Sequence, residues 1–174
     1  MPRSRHGAII LLSNTSQTNR VYWRPYIAHA QYALGGDEKK CSNEEFNLAQ
    51  KCGDCLYYDG RYREAETMYQ MVLVSRENVL GHEHTDTLTS VNNLGLVLSH
   101  QGKYEEAEAM HRRALQDRKK VLGLERPDTL TSASNLGSVL DSQGRYEEGE
   151  AIRRRRPWDQ IRLGTGRTDG NLDQ

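Results

Sequence analysis

Apolar residues in the middle of the chain recur at the steps of an α-helix rather than of a strand. Leu88, Val91, Leu94 and Leu98 follow at intervals of three, three and four residues, which sets them on one helical stripe. This predicts a helix over roughly Asp86 to His100. Beyond Gln101-Gly102-Lys103 a second stripe begins, with Tyr104, Ala107, His111, Ala114, Leu115, Val121 and Leu122 on its inner face, and it stops at Gly123. Gly102 suits the left-handed position that ends a helix. Glu105, Glu106 and Glu108 fall in the first turns of the second helix and Arg118, Lys119 and Lys120 in its last, as the helix dipole favours. Small Gly95 and Ala107 are expected to let the two backbones approach closely.

The pattern is repeated. Gly60-Arg61-Tyr62-Arg63-Glu64-Ala65-Glu66 returns as Gly102 to Glu108 and again as Gly144 to Glu150, a constant interval of 42 residues. The same interval aligns Phe46 with Leu88 and Leu130, Ala49 with Val91 and Ala133, Cys52 with Leu94 and Leu136, and Leu56 with Leu98 and Leu140. A fixed period of this size indicates stacked helix–turn–helix units, each burying a stripe against its neighbours. The expected fold is therefore all-α, with units at 43–84, 85–126 and 127–156.

The ends depart from this register. Residues 1–40 form a separate segment in which Val21, Tyr22, Tyr26, Ala30, Ala33 and Leu34 predict one amphipathic helix over about 21–34, with Pro25 tolerable near its first turn. In the third unit Gly149 stands where Ala65 and Ala107 do, Arg153 where Tyr69 and His111 do, and Arg156 where Val72 and Ala114 do. Pro157 then disfavours helix at Arg156. The third unit is expected to be truncated and followed by an irregular tail over 157–174, leaving an exposed last repeat through which copies of the chain could associate.

The small-residue pattern Leu94-Gly95, Leu98, Gly102, Tyr104, Ala107 and Ala114 resembles the tetratricopeptide repeat. The long period and the linker Val121-Leu122-Gly123-Leu124-Glu125-Arg126-Pro127-Asp128-Thr129-Leu130 resemble the variant found in kinesin light chains. The resemblance implies a right-handed superhelical stack, an α–α solenoid. Trp23-Arg24-Pro25-Tyr26-Ile27-Ala28-His29-Ala30 is similar to the spacer before such repeats in fungal and related NB-ARC or NACHT ATPases. Those proteins carry a nucleotide-binding domain upstream. Here no Gly-x-x-x-x-Gly-Lys-Ser/Thr loop occurs, so nucleotide hydrolysis is not assigned to this chain.

Composition narrows the function. The chain has 174 residues, 36% of them hydrophobic, and 24 basic against 24 acidic side chains. No net field steers it towards nucleic acid or an anionic surface. No apolar run approaches the ~20 residues of a membrane helix. Three cysteines do not make a secreted disulfide framework, and the cytoplasm is the expected location.

Cys52-Gly53-Asp54-Cys55 could suggest a redox or zinc pair. Both cysteines hold apolar register positions, so core packing is the expectation. His82 and His84 lie in a linker without a completing ligand set, and Arg153 to Arg156 read as a solvated charge run at a failing helix. No catalytic set, metal site or cofactor is assigned, because the polar residues repeat with the scaffold instead of clustering in one place.

What remains is a polar stripe offset from the buried one. On the first helix of each unit it comprises Asn47, Gln50, Lys51, Asp54 and Tyr58; Thr89, Asn92, Asn93, Leu96 and His100; and Thr131, Ser134, Asn135, Ser138 and Ser142. By the resemblance this helix lines a concave groove, and these positions would meet a partner peptide. Asn93 and Asn135 stand where kinesin-light-chain-like repeats commonly carry an Asn, whose amide both donates and accepts. The expected function is a non-catalytic protein-interaction module with a peptide partner, and with neither nucleic acid nor membrane. The alternative is a truncated remnant of an NB-ARC or NACHT regulator with no independent activity.

Overall fold

The computed structural model describes residues 43–154. The expected helix at 21–34, Arg155, Arg156 and the 157–174 tail lie outside them. The described residues form six helices and no strand: α1 (Asn43–Tyr58), α2 (Tyr62–Leu80), α3 (Thr85–His100), α4 (Tyr104–Leu122), α5 (Pro127–Ser142) and α6 (Tyr146–Arg154). Each packs on its sequence neighbours, and α3 also touches α5. Contacts thus run along the chain, as expected when each unit can bury its apolar face only against the next.

The helix ends follow from local chemistry. Within each pair the turn places Gly60, Gly102 or Gly144 at positive φ, 77° for Gly102, and the next residue's N–H reaches back to the helix, as in Lys103 N to Leu98 O at 3.0 Å. This closes the orphan carbonyls of the first helix. Pro127 opens α5, where its missing N–H costs no hydrogen bond. His84 caps α3, its Nδ1 accepting from the Asp86 N–H at 3.2 Å. His82 Nδ1 lies 3.2 Å from the Glu77 carboxylate. Both linker histidines therefore have local partners.

The core is one band of buried side chains, from Phe46 and Leu56 in α1 through Met68, Val72, Val91, Leu94 and Ala114 to Val139. Leu115, Leu136 and Leu140 continue it between α4 and α5. Cys52 is wholly buried and Cys55 half-buried, both as free thiols. Burial first, then the neighbouring Cys55 and Asp54, pushes the Cys52 thiol up to about 12, far from a reactive thiolate.

Three expectations are corrected. Leu130 shares the register of the buried Phe46 and Leu88, yet it is 46% exposed. Val121 was expected on the inner face and is 43% exposed. Arg118, read as one of three cations that suit the end of the helix dipole, is buried.

The missing Cβ of Gly95 makes room for a side chain, His111, whose ring atoms stand 2.7 to 3.0 Å from where that Cβ would be. In the α5–α6 pair the backbones do meet: a Cβ on Gly137 would stand 3.1 Å from the Gly149 carbonyl oxygen. Arg153 crosses Gly137 and donates to Asp141 at 2.8 Å, while the missing Cβ of Gly149 admits the Asp141 carboxylate. Gly149, Arg153 and Asp141 are thus a mutually fitted set.

Candidate functional site

The first helices α1, α3 and α5 carry the polar stripe, and the structure divides its members into side chains held by neighbours and side chains left open. Two buried arginines do most of the holding. Arg76, on α2, donates to Asn47 Oδ1 (3.2 Å) and Gln50 Oε1 (3.1 Å) on α1, and to the Asp86 carbonyl (3.1 Å) and Ser90 Oγ (2.7 Å) on α3. Arg118, on α4, donates to Thr89 Oγ1 (3.2 Å) on α3, and to the Asp128 carbonyl (2.9 Å) and Ser132 Oγ (2.8 Å) on α5. Each guanidinium therefore ties three helices through neutral acceptors. Burial lowers the pKa of both arginines, against the raising field of Asp86 on Arg76 and of Asp128 on Arg118. The interval between Arg76 and Arg118 is the repeat period, a signal that was readable in the sequence.

Asn47 is exposed, although its carbonyl oxygen serves Arg76. Gln50 is half-buried and donates to Asp54 at 3.3 Å. The Asp54 carboxylate also accepts from the Tyr69 hydroxyl at 2.6 Å. Burial raises Asp54 above its ordinary value, and the Tyr69 and Gln50 hydrogen bonds pull it back. Lys51 is half-buried.

On α3, Asn92 is 5% exposed, and its carbonyl oxygen accepts from Asn135 Nδ2 at 3.1 Å. It faces α5 rather than solvent. Asn93 and Leu96 are half-buried, and among the described residues the Asn93 amide has no hydrogen-bond partner. Thr89 is half-buried and His100 exposed. On α5, Thr131, Ser134, Ser138 and Ser142 are exposed and Asn135 is half-buried. The hydroxyls of Thr131, Ser138 and Ser142 donate to carbonyls one turn back in their own helix, at 2.9, 3.1 and 3.0 Å. They face outward mainly as acceptors.

One feature of this face was not anticipated. His100 meets Tyr57 edge-on with ring centroids 5.0 Å apart, and Tyr62 lies 5.3 Å from His100. Tyr58, 74% exposed, extends the cluster. The cluster joins residues of two units, and no spacing within one unit reveals it.

At the turn edge, away from the stripe, Lys103 and Arg145 bind Glu66 and Glu108 of the preceding units at 2.9 and 2.8 Å. Burial alone would raise Glu66, but hydrogen bonds from Lys103 and Gln101 hold it below the ordinary range. Among the described residues no cluster of three or more His, Cys, Asp or Glu side chains could hold a metal ion. No described helix is long and apolar enough to cross a membrane.

The chain is 37% identical over 76 residues to a nucleotide-binding leucine-rich repeat (NLR)-like protein of Hyaloscypha variabilis. That match takes in 42% of this chain and spans only 8% of the relative's length. Among solved structures, the fold is similar to a putative kinesin light chain with nearly identical TPR-like repeats from Podosopora anserina. The TM-score is 0.69 at 19% identity, over 95% of this chain and 76% of that one. BtubC (BKLC) from P. vanneervenii gives a TM-score of 0.68 at 18% identity, over 98% of this chain and 68% of that one. The family model for the tetratricopeptide repeat matches residues 46–120 and 86–152, two overlapping stretches that between them take in all six helices. The unit that returns every 42 residues is therefore a tetratricopeptide repeat, and the chain belongs to that family.

Proposed function

We propose that this chain is a non-catalytic interaction module that holds an extended peptide segment of a partner protein along the groove formed by α1, α3 and α5. One observation carries the reading. The Asn93 amide is accessible and uncommitted at the centre of a face whose other amides are engaged, and an amide can both donate to and accept from an extended backbone. Thr89, Leu96 and His100 flank it on α3, Asn47, Lys51 and Asp54 on α1, and Thr131, Ser134, Asn135 and Ser138 on α5. Gln50 and Asn92 support this face from within, through Arg76 and Asn135. The free thiols Cys52 and Cys55 suit the cytoplasm as the working compartment.

The test is direct. Peptides selected from a random library for binding to the protein are titrated against wild type and Asn93→Ala. Loss of a central hydrogen-bonded pair is expected to weaken binding about 5–10-fold, equivalent to roughly 1 to 1.4 kcal/mol. Unchanged affinity in Asn93→Ala and in His100→Ala would reject the groove.

The NLR-like relative favours a second reading, in which these repeats derive from a larger nucleotide-binding regulator and have no independent activity. On that reading no selected peptide depends on the groove residues, and the transcript continues upstream into a frame encoding a phosphate-binding loop.

A further inference from the structure

Tyr58, His100 and Ser142 hold one register position on α1, α3 and α5, so they follow one another along the turn edge of the face these helices form. Four rings gather there. Tyr57 meets His100 edge-on with centroids 5.0 Å apart, and meets Tyr58 edge-on at 5.4 Å. Tyr62 lies 5.8 Å from Tyr57 and 5.3 Å from His100. One period later, Ser99 stands in place of Tyr57 and Ser142 in place of His100. The next junction of the stack therefore closes without these rings, and Tyr58 is 74% exposed. Packing alone does not require the cluster.

The cluster has turned its donors inward. His100 Nδ1 lies 2.9 Å from the Leu96 carbonyl oxygen, which can only accept, so Nδ1 carries the proton. Nε2 then accepts from the Tyr57 hydroxyl at 3.2 Å, which leaves the phenol oxygen a lone pair for a ligand. Ser142 likewise donates to the Ser138 carbonyl at 3.0 Å. Neighbouring cations are engaged, Arg61 by Glu64, and Lys103 by Glu66 at 2.9 Å. Asp54 stands one turn before Tyr58 on the same stripe. Lys51 is two turns back, about 10 Å along the axis. The edge thus offers π faces, lone pairs and a carboxylate, a combination that attracts a cation with several donors.

We propose that this edge receives an arginine side chain of the peptide held along α1, α3 and α5, its guanidinium stacked on the Tyr58 ring and donating to the Tyr57 hydroxyl oxygen. A guanidinium fits better than an ammonium, because its planar fork can stack on a ring and hydrogen-bond in its own plane at once. The inference rests on the groove reading and gives its ligand a chemistry: a segment with a basic residue at one fixed place.

The experiment selects peptides from a random library on the full chain and titrates them. Arginine is expected at one constant position among them, and its replacement by glutamine is expected to weaken binding about 3–10-fold. Tyr58→Leu, at an exposed position that leaves the fold intact, should weaken the arginine peptide by the same factor and leave the glutamine peptide unchanged. Tyr58→Phe should bind like wild type. Selected peptides that lack a constant arginine, or an arginine whose loss costs the same on wild type and Tyr58→Leu, would overturn the proposal. Asn93→Ala separates this site from the groove itself. Weakened binding in Asn93→Ala but not in Tyr58→Leu keeps the groove and removes the arginine site; no effect of either removes both.

Discussion

The imidazole of His111 lies on the backbone of Gly95, so close that a Cβ at residue 95 would stand 2.7 Å from its Cε1. Tyr69 lies on Gly53 in the same register, and Arg153 on Gly137. The glycine of each first helix is a seat for one large side chain of the second. Gly95→Ala should therefore destabilise by about 1–3 kcal/mol through overpacking. In a His111→Ala background the penalty should largely disappear. Urea unfolding of the four proteins in this cycle checks the coupling.

His111 is also the pH-sensitive part of the core. It is fully buried with neither ring nitrogen hydrogen-bonded among the described residues. Burial first, and the Arg118 charge second, lowers its pKa to about 4. The unfolded chain takes up this proton near pH 6.5, before the folded chain does. Stability from the neutral ring is thus fully present above about pH 6.5 and is lost as the pH falls towards 4, by an amount on the order of 3 kcal/mol. His111→Phe should flatten the stability profile between those values. Equal slopes for wild type and variant would contradict it.

The Arg118 guanidinium serves acceptors on two other helices at once. Arg118→Lys keeps the charge but loses the fork, and Arg118→Met keeps the volume but leaves Ser132 and the Asp128 carbonyl without their donor. Both should cost about 2–4 kcal/mol. A Lys variant as stable as wild type would show that charge, rather than geometry, is what matters at this position.

Restoring the alanine of the other units in the third should do harm. A Cβ on Gly149 would meet Asp141 Oδ1 at 2.5 Å and the Gly137 carbonyl oxygen at 2.9 Å. Gly149→Ala is expected to lower the thermal midpoint, and Asp141→Ser, the residue found at position 99, to recover part of the loss. Improved stability in Gly149→Ala alone would restore the view of this unit as simply eroded.

Asn92 and Asn93 are neighbours in sequence with opposite tasks. Asn92→Ala removes the acceptor that Asn135 uses between α3 and α5, and should cost about 1–2 kcal/mol in unfolding experiments. Asn93→Ala should leave unfolding almost unchanged and weaken peptide binding. The reverse assignment in the two assays would disprove this division.

The sequence alone determined the helices, their order and their turns, because those depend on local periodicity and on glycine at positive φ. The helix expected to end at His100 does end there, and the second helix of the middle unit runs from Tyr104 to Leu122 as read. Period also says which residues share a face. It does not say what stands opposite them. Arg76 and Arg118 are buried because acceptors from two neighbouring helices converge on each, whereas in the sequence Arg118 is one cation among three. Leu130 is 46% exposed, although its own register matches that of buried Leu88. Asn92 is enclosed and Asn93 open because a one-residue step rotates the side chain by about 100° around the helix, from the neighbouring helix towards the face left open. Such outcomes belong to the packing of units against each other, and only the tertiary structure decided them.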